Sequence, residues 1–198
     1  MSLSQILPVG RTKIYSIPAQ ESMKTNIALI GFMGTGKTAV GQLLAQKLNR
    51  KFVELDLLIE QRAGKSIPDI FQQDGEIAFR DLEIELTKKI AGEKNLVIAC
   101  GGGIVLNKIN IDRLRESARI VYLTASPGVI LKRVSNEPEQ RPLLEVDNPA
   151  LTIRELLRFR KPFYERATDI KINTSKLDID FVAEKITVKL REYESFDF

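Results

Sequence analysis

The segment Gly31-Phe-Met-Gly-Thr-Gly-Lys-Thr38 matches the pattern G-x-x-x-x-G-K-[ST], whose residue types suit the binding of a polyphosphate. Its three glycines let backbone N–H groups wrap around phosphate oxygens where a Cβ would interfere. The ammonium of Lys37 suits the β- and γ-phosphates, and the hydroxyl of Thr38 suits Mg²⁺. An apolar run precedes the segment and a helical pattern follows it, so a helix N-terminus adds its dipole. The pattern therefore predicts binding of ATP or GTP.

The inventory of reactive side chains narrows the chemistry further. The 198 residues include no histidine and one cysteine. This excludes catalytic triads built on histidine, intrachain disulfides and cysteine-rich zinc sites. Acid–base work therefore falls to carboxylates, lysine or tyrosine, and a bound metal is expected to be a hard, oxygen-liganded ion such as Mg²⁺. The sequence has no Asn-Lys-x-Asp motif for reading guanine, which disfavours a GTPase.

Charge and hydropathy argue against several classes of partner. Lys and Arg number 30 against 26 Asp and Glu, a formal net charge of +4. The basic residues are interleaved with acidic ones, which disfavours nucleic acid as a partner. No apolar run approaches the ~20 residues of a membrane-spanning helix. Residues 1–22 show neither periodicity nor a secretory pattern, so we expect a disordered leader there and a cytoplasmic protein.

Short apolar runs alternate with segments of helical spacing, and this order positions the phosphate-binding segment. Apolar strands without polar alternation indicate a sheet covered on both faces, and the alternation of strands with helices indicates parallel pairing. We predict one α/β domain over residues 23–198, with three α/β/α layers around a five-stranded, mainly parallel sheet. The predicted strands are 26–30, 52–55, 96–100, 119–123 and 169–173. The predicted helices are 38–49, 57–63, 66–73, 76–91, 178–192 and one that begins with 127–134.

The stretch from Asn136 to Pro149 breaks this rhythm. It holds prolines at positions 138, 142 and 149 among charged residues. It is too polar for a core and too long for an ordinary connection, and functional lids are a common reason for such loops. We predict a lid over about residues 135–149, with a disordered surface loop as the alternative. A compact nucleotide-binding chain with a lid favours a small-molecule kinase.

Several spaced motifs occur together between about Lys24 and Tyr193. After the phosphate-binding segment, which continues as Ala-Val-Gly41, they are Phe52-Val-Glu-Leu-Asp56, Phe79-Arg-Asp-Leu-Glu83, Gly101-Gly-Gly103, Arg141-Pro-Leu-Leu144 and Arg160-Lys-Pro-Phe-Tyr164. In this combination the chain resembles shikimate kinase, a family of the nucleoside-monophosphate-kinase-like P-loop fold. The resemblance implies transfer of the γ-phosphoryl of ATP to the 3-hydroxyl of shikimate, a step toward chorismate and the aromatic amino acids.

The resemblance also implies the residues that bind shikimate, a small polyhydroxylated carboxylate. Asp56 would accept a hydrogen bond from the reacting hydroxyl and act as base. Arg80 and Arg160 would clamp the carboxylate, where guanidinium groups outperform lysine, and Glu83 would orient Arg80. The other implied contacts are Gly101, Gly102 and Gly103 near the hydroxyls, Phe71 and Phe79 as an apolar wall, and Leu143 as a cover from the lid.

On the nucleotide side, the resemblance gives Arg141 a catalytic role. It would move in with the lid and neutralise charge on the transferring phosphoryl group, beside Lys37. Arg133 resembles an arginine that packs on adenine, and Thr174 and Ser175 would lie near the same base. The implied nucleotide contacts are Gly34, Thr35, Gly36, Lys37, Thr38, Ala39, Arg133 and Arg141.

One position departs from the family pattern. The implied Mg²⁺ ligands are Thr38 and, through a water, Glu54, where the family usually offers an aspartate. The longer carboxylate could still serve, although its extra methylene could alter the metal geometry.

Two other functions stay open from the residues. A gluconate or nucleoside-monophosphate kinase would share the phosphate-binding segment but need another acceptor site, and the motifs at 79–83 and 160–164 argue against it. A regulatory nucleotide-binding module with a decayed site is the second alternative; Glu54 is the feature in its favour, and the intact Lys37 and Asp56 argue against it. Because the motifs would assemble within one chain, we expect a monomer whose partners are ATP and shikimate.

Overall fold

The computed structural model describes residues 23–135 and 147–198, and its centre is a five-stranded parallel sheet. The order across the sheet is β2-β3-β1-β4-β5, and all four pairings are parallel. The strands are β1 (Asn26–Ile30), β2 (Lys51–Glu54), β3 (Leu96–Ala99), β4 (Ala118–Thr124) and β5 (Ile170–Asn173). The predicted α/β class is confirmed, and each predicted strand is found within one residue of its expected ends.

Helices connect the strands. They are α1 (Lys37–Lys47), α2 (Leu55–Ala63), α3 (Ile67–Gln73), α4 (Gly75–Ala91), α5 (Lys108–Ser117), α6 (Pro127–Ser135), α7 (Pro149–Ala167) and α8 (Ile179–Leu190), with a 3₁₀ turn at Ile104–Leu106. The split between α3 and α4 falls at Asp74 and Gly75, as predicted, because Gly75 has a φ of 85°. In residues 23–135 and 147–198, no helix is both long enough and apolar enough to span a membrane.

The alternation of side chains along β1 divides the core into two halves. Ala28 and Ile30 face a cluster shared with α2, α3, α4, α5 and α7. Ile27 and Leu29 face the opposite cluster, which α1 and α8 cover. All four side chains are fully buried. Because helices cover both faces of the sheet, β1 carries apolar residues toward both faces, from Ile27 to Ile30.

Two helices were not predicted from the sequence pattern, α5 and α7. Helix α7 contains Pro162, a residue that removes a backbone donor and normally ends or kinks a helix. The helix continues through it because Ile153, Tyr164 and Ala167 are all buried, so tertiary packing outweighs the local preference. Asn148 caps its start by accepting a hydrogen bond from Leu151 N at 3.1 Å.

Two helices border the segment predicted as a lid. Ser135 is the last residue of α6, and Pro149 is the first residue of α7, where its fixed φ suits a helix start. Residues 136–146, with Arg141 and Leu143, lie outside the described residues, as does the predicted leader at 1–22. The lid and the leader therefore stay predictions.

The approach of α1 to the sheet depends on Gly41. A Cβ at this position would lie 2.6 Å from Cε2 of Phe52 and 3.2 Å from Cδ1 of Leu29. This contact fixes the distance between α1, which begins at Lys37, and β2, which ends at Glu54. The packing of Gly41 against Phe52 thereby sets the distance between Lys37, the first residue of α1, and Glu54, the last residue of β2.

Gly41→Ala is expected to lower the free energy of unfolding by about 1–3 kcal/mol, because overpacking outweighs the gain in helix propensity of about 1 kcal/mol. Urea unfolding measures the change. Phe52→Leu removes the ring that the new methyl meets, so the double variant should lose less stability than the sum of the two single variants. Additive losses would contradict this packing role.

Candidate active site

The phosphate-binding segment forms a loop between β1 and α1. Gly34 and Gly36 have φ values of 70° and 93°, in the left-handed region that favours glycine. Thr35 is buried, and its hydroxyl donates to Phe32 O at 2.7 Å, which closes the loop on itself. The implied nucleotide contacts from 34 to 39 all lie on this loop or in the first turn of α1, where N–H groups and the helix dipole favour a phosphate.

Lys37 begins α1 and turns its side chain back over the loop. Its Nζ donates to the backbone oxygens of Gly31 and Phe32 at 3.0 and 3.2 Å. This holds the ammonium above the loop, beside the edge of the sheet where Asp56 lies. The positive charge favours the ionised form of that carboxyl.

Thr38 and Glu54 are brought together across α1 and β2. The Thr38 hydroxyl donates to Oε1 of Glu54 at 2.7 Å. A hydroxyl and a carboxylate at a phosphate-binding loop are the hard oxygen donors that Mg²⁺ requires, so this pair fits the ion. Within the described ranges, no group of three or more acidic or thiol side chains is placed to hold a metal.

Asp56 lies in the first turn of α2, directly after β2, and packs against the triple glycine. A Cβ at Gly101 would lie 2.5 Å from Oδ1 of Asp56, so only glycine allows the carboxylate this position. Burial raises the pKa of Asp56 above its usual range, and the nearby Lys37 opposes that rise. The result is a carboxylate with little solvation close to the phosphate loop, which is the environment of a proton acceptor.

Arg80 is anchored on α4 by a buried glutamate. Its Nη1 donates to Oε2 of Glu83 at 3.1 Å, and Glu83 is 1% exposed. Burial raises the pKa of Glu83, and Arg80 opposes the rise. Asn110 on α5 donates to the same Oε2 at 3.2 Å. Glu83 is thus placed to orient Arg80, as the resemblance implies. Asn110 also belongs to this network. Sequence reasoning missed it because α5 itself was not predicted.

Arg160 is a buried cation over the triple glycine. Its Nη1 donates to Gly102 O at 3.3 Å, and its guanidinium lies 5.6 Å from the Phe32 ring centroid. Its Nε has no hydrogen-bond partner, and no carboxylate among the described residues forms an ion pair with it. Tyr164, quoted in the sequence motif without a role, donates to the same Gly102 O at 2.5 Å. The guanidinium of Arg80 lies above Gly103, where a Cβ would be 3.1 Å from its terminal nitrogens.

The expected apolar wall is partly open. The rings of Phe71 and Phe79 are 4.8 Å apart, and the Arg80 guanidinium lies 5.0 Å from the Phe79 ring centroid. Phe79 is 5% exposed and belongs to the core, whereas Phe71 is 41% exposed. The two rings therefore form an apolar surface that runs from the Arg80 guanidinium, over Phe79, to the solvent-exposed Phe71.

Arg133 is bonded to the phosphate loop and to the segment after β5. Its two terminal nitrogens donate to Gly34 O at 3.0 Å and to Thr174 O at 2.8 Å. The Thr174 hydroxyl in turn donates to Thr35 O at 2.9 Å, and Ser175 Oγ accepts from Ser126 N at 2.9 Å. Arg133 and Thr174 are thus bonded to the phosphate loop; the contact of Arg133, Thr174 and Ser175 with adenine stays a prediction.

The phosphate loop, the two arginines Arg80 and Arg160, and the carboxylate of Asp56 thus lie around the triple glycine at the carboxyl end of the sheet. Comparison with known proteins agrees with this chemistry. The family model described as shikimate kinase matches residues 33–191. The chain belongs to the shikimate kinase family. Members of this family transfer phosphate from ATP to shikimate, which makes this chain a P-loop kinase by descent.

The similarity to relatives and to solved structures covers most of this chain. The shikimate kinase of Thermodesulfovibrio yellowstonii is 49% identical over 85% of this chain and 95% of its own length. That of Pelotomaculum thermopropionicum is 45% identical over 85% and 96%. The structure of shikimate kinase from Acinetobacter baumannii in complex with shikimate has a TM-score of 0.82 at 35% identity, covering 87% of this chain and 96% of that one. A gluconokinase from Sinorhizobium meliloti shares only the fold, at 16% identity and a TM-score of 0.56.

Asp56→Asn is expected to raise the free energy of unfolding at pH 7. Because burial raises the pKa of Asp56 in the folded chain, ionisation of this carboxyl destabilises the fold as pH rises above the unfolded value of about 4. The gain should shrink as pH falls toward about 4, because protonation of the carboxyl removes the cost of burying its charge. Urea unfolding at the two pH values measures it. Asp81→Asn, an exposed change on α4, should shift stability by less than about 0.5 kcal/mol at either pH. A loss of stability at pH 7 in Asp56→Asn would contradict the role of burial.

Proposed function

We propose that this chain transfers the γ-phosphoryl group of ATP to the 3-hydroxyl of shikimate. The observation that carries the proposal is the buried Arg160, whose Nε has no partner and which lies over Gly102, next to Arg80 over Gly103. A buried guanidinium without a carboxylate among the described residues is costly unless an anion binds there. Together with Arg80, Arg160 places two guanidinium groups over consecutive glycines, which suits the carboxylate of a small acid, because a fork of N–H donors matches its two oxygens.

The acceptor end of the site is built around Asp56. With the carboxylate of shikimate on the two arginines, its ring lies over the glycines and a hydroxyl comes within reach of Asp56. That hydroxyl oxygen attacks the γ-phosphorus, its proton passes to the carboxylate of Asp56, and the bond to the oxygen bridging the β- and γ-phosphates breaks to release ADP. The raised pKa of Asp56 makes it a better proton acceptor than an exposed aspartate.

The donor end is built from the phosphate loop. Lys37 binds the β- and γ-phosphates and counters the charge that develops as the γ-phosphoryl group moves. Arg141 adds a second positive charge from the lid, and Leu143 covers the acceptor. Closure of the lid excludes water, which prevents hydrolysis of ATP without an acceptor.

Thr38 and Glu54 hold Mg²⁺, Glu54 through a water. When bound, the ion would neutralise part of the charge on the phosphates. The direct hydrogen bond between the two side chains supports this assignment, since it places both oxygens on the same side of the phosphate loop. A glutamate at this position therefore reaches the place where the shorter family aspartate would act.

The protein acts as a monomer in the cytoplasm. The phosphate loop, Asp56, Arg80, Arg160 and the triple glycine all meet within one chain, so no second copy is needed to complete the site. Use of ATP suits a cytoplasmic location.

Release of ADP in a coupled assay with Mg²⁺ and ATP is expected to depend on shikimate. Gluconate and nucleoside monophosphates should not replace it. The open chain of gluconate does not hold its carboxylate and a hydroxyl at the fixed separation that a ring gives, and nucleoside monophosphates have no carboxylate for Arg160. Equal release of ADP with gluconate would favour the sugar-acid kinase instead, and nucleotide binding without release of ADP would favour a regulatory module.

The clamp is tested by a matched pair of substitutions. Arg160→Lys keeps the charge but loses the paired donors, so the KM for shikimate should rise roughly tenfold or more while the KM for ATP stays unchanged. Arg158→Lys alters an exposed position on α7 and should leave both values unchanged. An equal rise in the two variants would contradict the clamp.

Glu54→Gln is expected to weaken the binding of Mg²⁺, because the amide lacks the negative charge of the carboxylate. Calorimetric titration of ADP with and without Mg²⁺ measures this independently of turnover, and the tightening by Mg²⁺ should shrink in the variant. Glu54→Asp keeps the charge and should retain most of the effect. An unchanged Mg²⁺ dependence in Glu54→Gln would remove this residue from the metal site.

A further inference from the structure

The guanidinium of Arg80 is shared between two glutamates of α4 that differ in burial. Nη1 donates to Glu83, while Nε and Nη2 both donate to Oε1 of Glu76, at 3.3 and 3.1 Å. The side chain of Glu83 is 1% exposed and that of Glu76 is 66% exposed. The two acidic partners of Arg80 therefore have very different access to water.

The bond to Glu83 is the fixed one. Oε2 of Glu83 also accepts from Asn110, which is fully buried. Removal of Arg80 from this carboxylate would leave a buried charge with only a neutral donor, which is strongly unfavourable. Arg80 thus stays attached to Glu83 by Nη1 whatever its other nitrogens bind.

The bond to Glu76 is the exchangeable one. Glu76 lies four residues before Arg80 in the first turn of the helix, and water solvates its carboxylate when the bond breaks. Exposed pairs of this kind contribute little to stability. The Nε–Nη2 edge that Glu76 occupies is one of the paired-donor edges that binds a carboxylate through two parallel hydrogen bonds.

We propose that Glu76 is a specificity-determining residue that competes with the substrate for Arg80. Its carboxylate occupies, in the free enzyme, donors that the carboxylate of shikimate takes over, so binding exchanges one anion for another and Glu76 sets the KM. The proposal rests on the proposed function, because it takes the acceptor to be a carboxylate. A neutral acceptor gains nothing from this exchange, since it brings no charge with which to displace Glu76.

Glu76→Gln tests the competition. The KM for shikimate should fall roughly two- to fivefold, the factor that an exposed ion pair represents, while kcat stays within about twofold. The dissociation constant of shikimate methyl ester, measured by calorimetry, should not change, because the ester does not compete for the same donors.

Asp81→Asn is the matched control, since it removes the same charge from an exposed position next to Arg80 on the same helix. It should leave the KM for shikimate nearly unchanged. An equal fall in the KM of Asp81→Asn would show that the loss of any nearby negative charge causes the effect. A rise or no change in the KM of Glu76→Gln would show that Glu76 does not compete for Arg80. Each result overturns the proposal. Absence of shikimate turnover in the unmodified enzyme would instead count against the proposed function.

Discussion

The spacing of adjacent parallel strands determines where Asp56, the triple glycine and the phosphate loop lie. Strands in a sheet are about 4.8 Å apart, and β2, β3 and β1 are neighbours, so the chain segments that leave their carboxyl ends are separated by about 5 and 10 Å. Asp56 follows β2, the triple glycine follows β3, and the phosphate loop follows β1. The acceptor carboxylate and the phosphate loop thus lie on either side of a glycine-lined floor, at a distance that accommodates a small ring and one phosphoryl group.

This arrangement buries charged side chains away from water, which lowers the stability of the free protein at the positions that the proposed function uses. The pKa values of Asp56 and Glu83 are raised by burial, and Arg160 is buried without a carboxylate partner among the described residues. Each of these groups reduces the stability of the free protein. In the proposed function, binding of substrate relieves part of that cost, because the substrate carboxylate pairs with Arg160 and its hydroxyl donates to Asp56. Active sites commonly conflict with folding stability in this way.

The sequence was sufficient to predict the sheet and the phosphate loop, but not the side-chain network around Arg80 and Glu83. Strands and glycine-rich turns are encoded locally, so β1 to β5 and the loop at 31–38 followed from runs of residues. Helix α7 contains Pro162, which argues locally against a helix, and the burial of Ile153, Tyr164 and Ala167 explains its persistence. Asn110 gave no local signal, since its contact with Glu83 depends on the packing of α5 against α4. Glu76 lies four residues before Arg80 on α4, so their contact is local, but the sequence did not show which nitrogens of Arg80 it occupies.

The central claim, transfer of phosphate from ATP to one hydroxyl of shikimate, is tested most directly by identifying the product. The enzyme, Mg²⁺, ATP and shikimate would be incubated to completion, and the phosphorus and proton spectra of the mixture recorded by NMR. We expect one new phosphate monoester, coupled to the proton on carbon 3 of shikimate and equal in amount to the ADP formed. Inorganic phosphate in place of that ester, or an ester at another hydroxyl, would contradict the placement of Asp56 at the reacting oxygen.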